Sequence, residues 1–137
     1  MTSKSDGKIH GKLFSQFTAY LYILLGILFL VNPSGMASGL GYVDLSLDAV
    51  TEVMATYGGS WVGIGCLIIY IIRKNMVKEA LLVVGFTFAG FFMGRILGVF
   101  RTGGFHGLNC YWAATELVYI LITKGYLQKY NKLENQA

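Results

Sequence analysis

Charge is scarce in this chain, and so are the residues that build metal centres and disulfides. Only 13% of its 137 residues are Asp, Glu, Lys or Arg, about half the share found in an average soluble domain. Two cysteines, Cys66 and Cys110, and two histidines, His10 and His106, complete its stock of soft ligands. His106 and Cys110 lie four residues apart and could act as ligands or as base and nucleophile, but a structural zinc takes four ligands and a catalytic one three. No metal site is expected. Gly103-Gly104 and Gly107 are followed by no Lys-Ser/Thr and preceded by no strand, which rules out a phosphate loop and leaves them as hairpin residues. The chain has no internal repeat, low-complexity tract or second domain. A net charge of +4 and a pI near 9.1 would suit a nucleic-acid partner, but the basic residues sit between apolar segments instead of forming a patch or stripe. No nucleic acid is expected, and those residues read as topology signals.

Apolar residues are what the chain has in excess: 55% are hydrophobic and the mean hydropathy is +0.57. The load falls in four stretches, at about 13–31, 47–72, 79–100 and 109–127. Residues 80–100, ALLVVGFTFAGFFMGRILGVF, are the clearest. At about 1.5 Å per residue they make a helix about 31 Å long, the thickness of a bilayer hydrocarbon core. Residues 13–31 contain no formal charge and end at Asn32-Pro33, where proline disfavours helix in the residue before it. A basic start, an apolar run and small residues after it also describe a secretory signal peptide. This run is longer than a signal core and carries Ser15, Ala19, Tyr22 and Gly26 at helical spacing, which favours a retained span. A loop reaching about Ser46 follows; Ser46 is a plausible N-cap and Asp48 suits the first turn of the next helix.

Small residues recur every four positions in two stretches: Ala55, Gly59 and Gly63 in the second, and Gly90, Gly94 and Gly98 in the third. That spacing predicts helix-packing ridges. The short turn RKNMVKE makes stretches two and three antiparallel neighbours, and RTGGFHGLN does the same for three and four. Tyrosines, tryptophans and phenylalanines cluster where spans would meet water. Nine of the eleven Lys and Arg lie in the N-terminal segment, the second turn and the C-terminal end. The positive-inside rule then predicts an all-α, integral membrane four-helix bundle, antiparallel up and down, with both termini cytoplasmic. In that topology Cys66 and Cys110 lie at different depths and form no disulfide.

Arg95 and Glu116 are the charges inside the apolar stretches, and both fall about 8–9 Å below the same boundary at about 1.5 Å per residue. Their stretches are joined by a hairpin, so an ion pair is geometrically easy. Asn109, Trp112, Glu116, Tyr119 and Thr123 are spaced three, four, three and four, which places them on one helical face. Glu52, Tyr57, His106 and Asn109 lie at or above the same level, completing a candidate polar cluster in the outer half. A structural pair, each charge neutralising the other and holding register, is the alternative of equal weight.

Glu52 to Gly65, EVMATYGGSWVGIG, together with Gly94-Arg95-Ile96-Leu97-Gly98 and Glu116-Leu117-Val118, resembles a bacterial family of small four-helix membrane proteins known only as a domain of unknown function, of the 4345 type. In outline it is similar to the DoxX-like membrane proteins. The resemblance covers about residues 52–121 and marks Tyr57, Gly58, Gly59, Arg95 and Glu116 as motif positions. It departs from the pattern at Met54, where a basic residue is expected, and at Thr102-Gly103, where Asp-Gly is. The resemblance implies a fold and no activity.

From these residues we expect a non-enzymatic membrane protein of the bacterial inner membrane that binds a lipid, quinone or other amphiphile in an outer cavity. Arg95 would hold an anionic or carbonyl group, Glu116 would position Arg95, and Trp112 and Tyr119 would supply walls. The cofactor is unknown. A small transporter or proton-coupled carrier with Glu116 as the titrating site is the alternative, and a subunit of a homo-oligomer or larger membrane complex is a third reading.

Overall fold

Long runs without charge have to satisfy their own backbone hydrogen bonds once they leave water, and within one segment only a helix does so. The computed structural model describes residues 3–104 and 107–134, and the regular structure among them is all helical. In chain order it comprises α1 (Ser3–Val31), α2 (Pro33–Ser38), α3 (Leu47–Val53), a π-helical segment (Met54–Gly59), α4 (Ser60–Arg73), α5 (Val77–Thr102) and α6 (Leu108–Glu134). Ile9–Val31, Leu47–Arg73 and Val77–Thr102 are each long and apolar enough to cross a bilayer. Helix α6 is equally long but does not reach the same apolarity, since Asn109, Glu116, Lys124, Gln128, Lys129, Asn131 and Lys132 lie along it.

The helix ends follow local chemistry. After Val31 the Asn32 side chain accepts a hydrogen bond from Gly35 N at 3.1 Å, and Pro33 takes the first helical position, where its missing N–H has no bond to lose. This cap starts α2 in a stretch expected to be plain loop. Ser46 caps α3 by accepting from Ala49 N at 3.2 Å, with Asp48 in the first turn. Gly103, at φ +89°, ends α5 in the left-handed conformation that an L side chain resists, and its N–H reaches Val99 O at 3.0 Å.

The chain divides into two compact units. In Gln16–Lys74, α1 and α4 meet where glycine removes a side chain. A Cβ on Gly65 would stand 2.6 Å from the Ala19 carbonyl oxygen, and one on Gly26 would stand 2.8 Å from that of Gly58. The order of these contacts is antiparallel. Below them Phe29, Ala37 and Val53 are buried, and Met36, Leu40 and Leu45 pack against them. Tyr57 stacks on Phe29 at 5.1 Å, and Trp61 meets both rings edge-on.

The second unit comprises Met1–Ser15 and Asn75–Ala137. Here α5 and α6 form an antiparallel hairpin: Gly85 opposes Thr123, Phe88 stacks on Tyr119 at 4.1 Å, and Arg95 meets Glu116. Val77, Ala80, Leu81 and Val84 are the buried positions of α5 and share one face at helical spacing. Gly11 of α1 lies against this face beside Leu81 and Val77, and Phe14 contacts the rings of Tyr119 and Tyr126, each at 5.5 Å.

Candidate functional site

Arg95 lies late in α5 and Glu116 two turns into α6, and the antiparallel hairpin brings them side by side. Arg95 Nη2 donates to Glu116 Oε1 at 2.7 Å, and Nε donates to both carboxylate oxygens at 3.1 and 3.2 Å. The planar guanidinium presents one edge to the carboxylate, the geometry that makes such pairs strong. Nη1 donates to Asn109 Oδ1 at 3.0 Å, seven residues before Glu116 on the same face of α6. A guanidinium carries five N–H donors. One hydrogen on Nη1 and one on Nη2 have no partner among the described residues.

Exposure divides the pair unequally. The Glu116 side chain is 6% exposed and that of Arg95 is 24%. The carboxylate is therefore covered and committed to Arg95, while the open side of the guanidinium meets the surroundings. Trp112, one turn from both Asn109 and Glu116, is half-buried, and its Nε1 has no hydrogen-bond partner among the described residues. The open edge of a guanidinium suits a carbonyl or an anion.

The expected cluster is distributed as follows. Arg95, Glu116 and Asn109 are directly bonded. Tyr119 lies one turn along α6 from Glu116, in the seam with Phe88, so it builds the helix interface. Glu52 is exposed on α3, and Tyr57 belongs to the Gln16–Lys74 unit, where its hydroxyl lies 3.2 Å from that of Tyr42. Tyr42 was missed by the sequence reading because the loop that carries it has no periodic pattern. His106 lies outside the described residues.

The two glycine ridges make no close contact within this chain among the described residues. Gly63, Gly90, Gly94 and Gly98 have nothing within 4 Å of an added Cβ, and Gly59 meets only the Met54 carbonyl of its own helix at 3.8 Å. The packing glycines are Gly26, Gly58 and Gly65 in one unit and Gly11 and Gly85 in the other. Spacing alone does not report which side of a helix a neighbour occupies. Of the motif departures, Met54 opens the π-helical segment, and the Thr102 hydroxyl bonds back to Gly98 O at 3.0 Å.

Both cysteines are free and exposed, and no group of three or more metal-ligating side chains occurs among the described residues.

Three apolar helices of spanning length, with large hydrophobic side chains such as Phe86, Leu97 and Phe100 left exposed, are the marks of a helical membrane protein. Its distinguishing feature is a guanidinium and carboxylate paired within an antiparallel hairpin. The chain belongs to the family described as domain of unknown function (DUF4345), whose model matches residues 11–124. No curated protein and no solved structure matches it significantly.

Proposed function

We propose that this chain is a four-span inner-membrane protein whose Arg95 receives the carbonyl or anionic end of an amphiphile, such as a lipid or a quinone, at the outer side of the bilayer. The observation that carries this reading is the state of the guanidinium: Glu116 holds it from one side, yet two N–H donors and about a quarter of the side chain stay open. A pair serving register alone has no need of an open donor edge. Glu116 acts as the positioning residue, and Asn109 holds the outer nitrogen.

Four spans place both termini in the cytoplasm and leave nine of the eleven Lys and Arg on that side. The carrier alternative has less support, because the covered, doubly bonded Glu116 carboxylate has no open approach.

The test is native mass spectrometry of the whole protein from mild detergent, with a fatty acid, a phospholipid and a short-chain quinone added at matched concentrations. One of these classes should stay bound, and Arg95→Gln should weaken that retention about tenfold or more, as expected for losing a hydrogen bond to a charged group. Only empty protein across several detergents, or equal retention by Arg95→Gln, would overturn the reading. Melting temperature measured on the same samples separates loss of binding from loss of fold.

A further inference from the structure

The α5–α6 hairpin carries a second feature at its other end. A groove of about 310 Å³ runs between the first half of α5 and the second half of α6, near the lower limit of about 300 Å³ for small-molecule sites. Its walls change character along its length. Toward the middle of the hairpin it is bounded by Ala89, Phe86 and Ile120, all apolar. Toward the end of α6 the apolar Leu82 and Leu127 are joined by the polar Lys124, Gln128 and Asn131, spaced four and three and therefore along one face.

That gradient runs parallel to membrane depth. The apolar end lies where α5 and α6 are deepest, and the polar end lies where α6 leaves the apolar stretch and continues into Lys129 and Lys132. Lys124 is exposed and makes no ion pair among the described residues. A lysine at this depth keeps its ammonium in reach of the headgroup layer while its stem lies along apolar surface. Phe86, which forms one wall, is 75% exposed, so the groove opens sideways from the hairpin instead of being sealed within it. Thr123, near its centre, is covered, and its hydroxyl has no partner among the described residues.

We propose that this groove is a binding site for an anionic phospholipid, with one acyl chain lying between Phe86, Ala89 and Ile120 and the headgroup phosphate held by Lys124, with Gln128 and Asn131 beside it. In the orientation proposed above the lipid belongs to the cytoplasmic leaflet. The occupant is an anionic lipid and not a soluble anion, because the apolar end would be empty with a free phosphate and the cation alone would be an ordinary surface lysine. It is anionic and not zwitterionic because no carboxylate among the described residues borders the groove to receive a choline or ethanolamine group. The site requires the chain to lie in a bilayer and does not require Arg95 to hold a ligand.

The experiment is native mass spectrometry of the full chain with dioleoylphosphatidylglycerol and dioleoylphosphatidylcholine in equal amounts. The wild type should retain the anionic lipid about fivefold over the zwitterionic one, the factor that a single lysine near the headgroup layer supplies. Lys124→Gln should abolish that preference and Lys124→Arg should keep it. Ala89→Phe, which fills the apolar end, should reduce retention of both lipids. Both Lys124 variants are read in the Arg95→Gln background, which removes the other group proposed to receive an anion, so a preference found there belongs to this groove. Equal retention of the two lipids in the Arg95→Gln background, a preference there that survives Lys124→Gln, or undiminished adducts in Ala89→Phe would each overturn the proposal. Inorganic phosphate added in excess should not displace the lipid; displacement would show that the lysine alone binds.

Discussion

An arginine in hydrocarbon costs about 2.5–3.5 kcal/mol on insertion scales, and around Arg95 that cost is met by three hydrogen-bond contacts to Glu116 and one to Asn109. Removing one partner leaves the other charge uncompensated. Arg95→Gln and Glu116→Gln should therefore each destabilise the protein, by more than the about 1 kcal/mol typical of a surface pair and less than the about 3–5 kcal/mol of a fully buried one. The double variant should recover at least about 1 kcal/mol relative to the sum of the two losses. Thermal unfolding in detergent measures the cycle; strictly additive losses would mean that the two side chains are not coupled. The pair was legible in sequence because depth along a helix is set by residue count, and two charges at equal depth in helices joined by a hairpin have few alternatives. The open donor edge of Arg95 was not legible, because it depends on which side of the guanidinium the carboxylate takes.

Helices carry different information from residues. Their ends were readable: Asn32-Pro33 and Ser46 mark backbone changes by local hydrogen bonding alone. The π-helical segment at Met54–Gly59 was not, since the Gly58-Gly59 pair weakens helix propensity there without specifying an i→i+5 register. There the Ser60 hydroxyl bonds to Ala55 O at 3.2 Å, five residues back. Helix packing gives the clearest test. Gly65→Ala would push a Cβ into the backbone of α1, whereas Gly94→Ala meets nothing. The first should destabilise by about 1–3 kcal/mol, the range for overpacking a tight contact. The second should be neutral or gain up to about 1 kcal/mol from helix propensity. Chemical denaturation or thermal melting of the two variants compares them directly. A marked loss in Gly94→Ala would point to a neighbour on that face supplied by another chain.

At the scale of the molecule the apolar surface is the dominant fact. Phe17, Leu24, Phe86, Leu97 and Phe100 are exposed, on helices long enough to span a bilayer, and such a surface is stable in lipid and prone to association in water. The proposed four-span orientation would put α2 and the α4–α5 turn on opposite sides. With Cys66 and Cys110 replaced, single cysteines at Ser38 and Asn75 should react with an impermeant thiol reagent from opposite faces of sealed vesicles. Labelling from the same face would remove the four-span topology, and Leu47–Arg73, the apolar stretch between the two labels, is the segment whose placement would then change.

Sequence by itself determined the all-helical class, the long apolar helices, the caps that end them and the membership in a family of unknown function. Each of these depends on local composition, on a helical period or on residue-by-residue pattern. It also determined that Arg95 and Glu116 share a depth. Tertiary structure decided what depth cannot: Gly26 and Gly65 carry the close approach while Gly94 and Gly98 stay open, Tyr57 pairs with Tyr42 in one unit while Asn109 joins Arg95 in the other, and a groove opens beside Lys124. The physical reason is rotation about the helix axis. A period of 3.6 residues says which side chains share a face, and only the packing of neighbours says what that face meets.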